Sequence, residues 1–442
     1  MANSDPSPLS HSHTHSHSHA LGQAGEAVEV SRLVRVITFC VLAVVAAATV
    51  VGLVALWPDS AKVAETAERA SFAVTGVTYE RGEVLSVSEE RANDGTGEGA
   101  QDACRQVSVG LKSGEDSGRL VDITIRGTLA NSGIRAGDQV ELVGFPVTAV
   151  PGTDGEALTR SYELANTYEV SGVVRNLPLA LIAIVFAGVV IGVGRLRGFF
   201  ALVALGVAAW VLLGFVLPAL ITGGPALLIG LVGSSAIMFV TLFFVHGANM
   251  RTTSALIGTL AGVIIISAVS WVSVRVTRLS GLGDEASGLL SGMVSEIDFR
   301  GLLTASILIA GLGVLNDVTI TQASSVWELR AAAPTMSRRE IYARAMRIGR
   351  DHIASTVYTV FFAYAGAALS ALILLYLYNR PVLSLLTQED IAIEIVRTLA
   401  GSIGLVLSVP ITTAVAALFV PATPMLSPSR GRDPRNEGNH HE

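Results

Sequence analysis

Two stretches place reactive side chains inside an otherwise apolar chain. The first runs Gly311-Leu-Gly-Val-Leu-Asn-Asp-Val-Thr-Ile-Thr-Gln-Ala-Ser-Ser-Val-Trp-Glu328. Asn316 and Asp317 sit within an apolar run, with Thr319, Thr321 and Gln322 close behind. A carboxylate at the centre of a membrane-spanning helix costs about 2.5–3.5 kcal/mol, so such groups face the bundle interior or a water-filled cavity. At 3.6 residues per turn, Asp317, Thr321, Ser324 and Glu328 fall on one face. That stripe reads as a path for an ion, a proton or a small solute, with Asp317 at its upper end. The competing reading is structural, with Asp317 satisfied by an arginine or a hydroxyl of the bundle.

The second stretch is Gly349-Arg-Asp-His352, followed by Ser355, Thr356, Thr359 and Tyr364. Arg350 and Asp351 fall at the depth of Glu328. The three are expected to form a charge cluster, with His352 beside it, that acts as an inner gate. Alternatively they are interfacial salt bridges among topology-setting arginines. His352 is the one group here of a type that titrates near neutral pH; its plainer role is a hydrogen bond. A third set is Glu394-Ile-Val-Arg397, an outer charge pair at i,i+3, continuing through Gly401-Ser-Ile-Gly404 to Pro410-Ile-Thr-Thr413. Pro410 removes one backbone hydrogen bond, and Thr412 or Thr413 is expected to bond the freed carbonyl. Interrupted helices of this kind line transport sites, although many prolines are only kinks. The N-terminal repeat His11, His13, His15, His17 and His19 offers imidazoles to a divalent metal, a weak and adaptable site in a flexible tail. No other cofactor is expected. The chain has no Walker loop, G-x-S-x-G, H-E-x-x-H or C-x-x-C, so neither an enzyme nor an ATP-driven pump is expected. Asp317 with His352 would make an acid–base pair, but no nucleophile stands beside them.

The elements that must hold these groups follow from composition. The chain has 442 residues, 51% hydrophobic and only 15% charged, against about 25% charged in soluble domains. Its formal net charge of -6 gives no case for a nucleic-acid partner; the expected surroundings are a lipid bilayer. A span needs about 20 apolar residues. Runs of this kind are Val36–Trp57, Leu177–Gly194, Gly198–Leu217, Pro225–Val245, Thr253–Val274, Gly301–Gln322, Ile353–Tyr378 and Thr398–Val420. The first is too long for the apolar core of a signal peptide and follows a 1–35 tail, so it is read as an uncleaved anchor. With both termini cytoplasmic, Arg32, Arg35, Arg195, Arg197, Arg251 and the dense set from Arg330 to Arg350 lie inside. Only Arg275, Arg278, Arg300, Arg380 and Arg397 then fall in the short outer loops. About eight spans satisfy this positive-inside asymmetry in a bacterial inner membrane. Within the bundle, Gly188-x-x-x-Gly192 and Gly258-x-x-x-Gly262 permit close helix approach. Asn249 or Thr252 is expected to cap the helix that follows His246.

The segment 58–176 is then extracytoplasmic, and its pattern switches to period two. Phe72–Tyr79, Val107–Leu111, Leu120–Ile125 and Val140–Val143 alternate with β-branched residues, as half-buried strands do. Turn signals lie between them at Asn93-Asp-Gly95, Ser113-Gly114, Ala136-Gly-Asp138 and Pro151-Gly152, with Asn93–Gly99 read as a hairpin tip. A small OB-like barrel is expected, with a small sandwich as the alternative. Cys40 reads as a small packed hydrophobe, and Cys104 is alone in its segment, a free or intermolecular thiol. Residues 421–442 and 1–35 are low-complexity and are expected to be disordered.

The membrane half, 177–420, resembles the YibE/F-like family of multi-pass proteins. The resemblance rests on three blocks: Asp317 with Ser324 and Glu328-Leu329; Gly349-Arg-Asp351 with Thr359 and Ala363-Tyr-Ala-Gly366; and Glu394–Arg397, Gly401–Gly404 and Pro410–Thr413. A strand from Tyr168 to Arg175 resembles the end of the family's β domain, extending the likeness over roughly 70–420. Asn316 departs from the pattern, where a small or apolar residue is expected. The resemblance implies a permease-like membrane protein with no assigned substrate. Two functions follow. One is a secondary transporter in which Asp317 binds the coupling ion or proton. The other is a non-transporting scaffold or signalling protein whose β domain binds an envelope partner.

Overall fold

A computed structural model describes residues 32–69, 77–88, 104–146, 166–377 and 381–421. The histidine repeat, the Asn93–Gly99 turn and the C-terminal tail lie outside the described residues. The chain divides into two compact units, one comprising Met1–Trp57, Val207–Gly288 and Asp298–Glu442, the other Pro58–Gly206 and Leu289–Ile297.

In chain order the elements are α1 (Arg32–Ala55), α2 (Ser60–Arg69), β1 (Thr78–Val87), β2 (Cys104–Leu111), β3 (Leu120–Arg126), α3 (Gly127–Ala130), β4 (Gln139–Pro146), β5 (Asn166–Val173) and α4 (Asn176–Val211). A π-helical turn, Leu212–Val216, leads into α5 (Leu217–Ile221). Then come α6 (Ala226–His246), α7 (Met250–Val276), α8 (Glu285–Met293), α9 (Phe299–Ala332), α10 (Arg338–Ala367), α11 (Leu369–Leu377), α12 (Val382–Leu386) and α13 (Glu389–Phe419). Among the described residues, six helical stretches are long and apolar enough to cross a membrane: α1, the 46-residue stretch Asn176–Ile221, α6, α7, α9 and α13. The long stretch contains two of the expected spans and turns between them at Arg195, whose backbone takes a left-handed φ of 52°. The expected span Ile353–Tyr378 is not one continuous element. Its helix begins at Arg338 and breaks at Ala368 before α11, because a charged, amphipathic lead-in extends the helix backwards.

The helical unit packs around α7, α9 and α13. Small residues allow the approach: a Cβ on Gly258 would overlap the Thr412 hydroxyl, and one on Gly262 would lie 2.7 Å from Leu315. Around this contact Leu256, Ile266, Leu308, Leu315 and Leu405 are fully buried. Asn249 caps α7 as expected, its side chain accepting from Thr252 N at 2.9 Å. Cys40 does not pack; it is exposed on α1.

The other unit holds a five-stranded antiparallel sheet in the order β3-β2-β1-β4-β5. β3 and β5 approach one another, so the sheet nearly closes on itself as a small OB-like barrel does. Alternation builds its core: Val84, Val107, Val109, Leu111, Ile123, Ile125, Val140 and Leu142 point inward. Register shifts at Val84/Ser86 and Glu141/Leu142 bend the strands. β1 carries its inward face through Gly82 and Val84, and the expected strand start at Phe72 lies outside the described residues.

Candidate functional site

Asp317 lies on α9 and His352 on α10, and the fold brings them together. His352 Nε2 stands 4.0 Å from Asp317 Oδ2, just beyond hydrogen-bond reach. The Asp317 side chain is 69% exposed and that of His352 32%. His352 Nε2 and the neighbouring Asn316 Oδ1 are buried with no hydrogen-bond partner. The result is a carboxylate, an imidazole and an amide clustered on two adjacent helices, with hydrogen-bonding capacity left over.

The stripe expected from helical spacing exists, but it faces the other way. Asp317, Thr321 and Glu328 are exposed and Ser324 is half-buried, its hydroxyl donating to Ile320 O at 2.8 Å. The opposite face of α9 is the one that packs, with Leu308, Leu315, Thr319, Gln322 and Val326 against the neighbouring helices. A helix cannot bury both faces, and the packed face here contains the small and branched residues that fit the α7–α9–α13 contact. The inner gate is not assembled either. Glu328, Arg350 and Asp351 are all exposed, and no ion pair joins them among the described residues.

The polar groups that do lie inside form a different set. Thr259 on α7 and Thr319 on α9 share a hydrogen bond of 2.6 Å. Gln322, 2% exposed, donates through Nε2 to Ala345 O on α10 at 2.9 Å and to Thr413 Oγ1 on α13 at 2.7 Å. One side chain thus ties three helices together. Gly349 provides the room: a Cβ there would stand 2.9 Å from Gln322 Oε1. The sequence signal for Gln322 was its place five residues beyond Asp317, about 140° round the helix and so on the opposite face.

On α13 the helix continues through Pro410 without interruption. Thr412 donates to Ser408 O and Thr413 to Val409 O, both at 2.7 Å. Neither reaches the carbonyl of Val406 that the proline frees, because a threonine hydroxyl bonds back four residues from its own position. The outer pair is formed: Arg397 Nη1 donates to Glu394 Oε1 at 2.6 Å, half-buried beside an apolar cavity of about 330 Å³ lined by Phe361, Tyr364, Leu372 and Ile395. Sequence reasoning missed two arginines that organise the opposite end. Arg330, 4% exposed, donates to Pro334 O and Met336 O and so closes the α9–α10 turn. Arg338 donates to Val420 O at the end of α13. Among the described residues no group of three or more His, Cys, Asp or Glu is arranged to hold a metal.

Several helices long and apolar enough to cross a membrane, one of them carrying the Asp317 carboxylate, define a class: multi-span membrane proteins. Residues 182–422 match the model of the YibE/F-like protein family, and the chain belongs to that family. The match begins after the barrel, so the likeness of Tyr168–Arg175 to the family lies outside it. No curated protein and no solved structure matches the chain.

Proposed function

We propose that this protein is a permease-like secondary transporter of a small ion or solute, seated in the bacterial inner membrane with both termini cytoplasmic. The observation that carries this reading is the Asp317–His352 pair: two titratable groups 4.0 Å apart on adjacent helices, the buried His352 Nε2 having no hydrogen-bond partner. A small shift of α10 towards α9 would make a hydrogen bond between them, so binding a proton or cation at Asp317 is linked to helix position. Thr321, Ser324 and Glu328 continue the polar surface along α9. Gln322 and the glycine contacts hold the α7–α9–α13 frame against which such a movement takes place.

The test is flux into proteoliposomes across a panel of protons, divalent metals and small anions, with wild type and Asp317→Asn side by side. Gradient-driven flux in wild type and its loss in the variant support the reading. Flux unchanged in a folded, correctly oriented Asp317→Asn protein removes it. A scaffold or signalling role has its own support in the barrel, which has a separate hydrophobic core and is larger than a connecting loop needs to be. Site-specific crosslinking from the barrel surface of the full-length protein in cells tests that role: one recurrent envelope adduct favours it, and none disfavours it.

A further inference from the structure

One end of the barrel holds a carboxylate with no counter-ion among the described residues. Glu80 faces inward on β1 and is 3% exposed. Its Oε1 accepts from Thr78 Oγ1 at 3.1 Å, while its Oε2 has no hydrogen-bond partner. The backbone of Gly114, at φ 84°, lies so close that any side chain there would overlap the carboxylate. A second buried acid, Asp116, is 2% exposed and already satisfied: the Tyr168 hydroxyl donates to it at 2.9 Å and Arg119 stands 3.3 Å away. The Tyr168 hydroxyl also neighbours Glu80, but its single proton is committed to Asp116. Lys112, next to Ser113 in the sequence, pairs with Glu83. A charged carboxylate buried without a cation is costly, and a bound cation would offset that cost.

Glu80 opens on a cavity of about 630 Å³, lined also by Thr78, Tyr79, Ser113, Glu115 and Asn166. Among the described residues that lining has two acids, hydroxyls and an amide, and no basic residue. The volume is that of a site for a small organic group and far exceeds what a bare ion occupies. We propose that this cavity binds an alkylammonium or alkylguanidinium group. Glu80 Oε2 is the buried counter-ion, and Glu115 adds negative charge at the rim. Such a group is either the end of a partner protein's lysine or arginine side chain or a small free amine. The site is independent of the transport reading.

The experiment is calorimetric titration of the full-length protein in nanodiscs with n-butylammonium, n-butylguanidinium, the peptide Ala-Lys-Ala and Ca²⁺. Saturable binding of a cationic organic probe is expected, weakened at least about ten-fold by Glu80→Gln, because that removes the buried half of a charge pair. Tighter binding of Ala-Lys-Ala than of butylammonium points to a protein partner; the reverse points to a free amine. No saturable binding of any organic probe, or equal binding by Glu80→Gln, overturns the proposal. So does Ca²⁺ binding that depends on Glu80 while the amines remain silent. If Glu80→Gln fails to fold, the exposed variant Glu115→Gln decides. Weakening of about three-fold in that variant supports the site, and unchanged binding overturns it.

Discussion

Gln322 and Asp317 stand five residues apart on one helix and meet opposite fates. Gln322 is buried and spends both hydrogens of its amide on two other helices, whereas Asp317 is left on the surface of the unit beside His352. Replacing Gln322 with leucine keeps the volume and removes both bonds, leaving Ala345 O without its side-chain donor. The expected loss is about 1–3 kcal/mol, read as a lower melting temperature in detergent, with the Asp317→Asn variant much closer to wild type by that measure. An equal shift in the two variants would deny Gln322 its tying role. Tyr168 gives a second residue-scale test. Burial, above all, holds its phenol well above the ordinary range; the Asn166 amide opposes this, and the carboxylates of Asp116 and Glu80 reinforce it. A phenol raised on folding adds stability that is complete below its unfolded value near 10 and is lost as pH rises through the folded value. The barrel should therefore lose stability above about pH 10, followed by circular dichroism during chemical unfolding. Tyr168→Phe should flatten that alkaline limb.

At the scale of the element, α10 starts with a reciprocal cap. Ser337 accepts from Glu340 N, and Glu340 accepts from Ser337 N at 2.9 Å. These bonds from Ser337 hold the Glu340 carboxyl below its usual range. A lowered carboxyl contributes stability that is present above its unfolded value and lost as pH falls through the folded one, so the α9–α10 turn should loosen on the acid side. Ser337→Ala should cost about 0.5–2 kcal/mol, and Glu340→Gln should remove the acid dependence, both seen as faster amide exchange in the first turn of α10. A cap of this kind can be found by eye in Ser-Arg-Arg-Glu, and the Asn249 cap was indeed readable in advance. So were α1, α6, α7, α9 and α13, because about 20 apolar residues admit few alternatives. The direction each helix faces was not readable. In α9, apolar residues occur all round, so periodicity does not say which face is buried. The polar stripe was correctly grouped but turned the wrong way, and the buried Gln322 tie was passed over. The inner gate failed for a related reason: equal depth along two helices does not give a shared azimuth. In the barrel, alternation located β2, β3 and β4.

On the scale of the whole molecule, two hydrophobic cores have no residue in common. One gathers Leu308, Leu315 and their neighbours on the helices; the other gathers Val109, Leu142 and the inward residues of the strands. Units with separate cores unfold separately unless an interface couples them. Scanning calorimetry of the full-length protein in detergent should then show two transitions. Leu142→Ala, at a fully buried barrel position, should lower one of them by an amount corresponding to about 2–5 kcal/mol, and Leu308→Ala should lower the other. A single transition moved by both variants would mean that the cores act as one. The separation also sets apart the two functional readings. Transport is proposed for the helical unit, so flux in liposomes should persist between the two melting points, after a Leu142→Ala barrel has unfolded and before the helices do. Flux that disappears with the barrel would instead make the barrel part of the transport cycle, and an inert helical unit at every temperature would leave recognition by the barrel as the protein's working end.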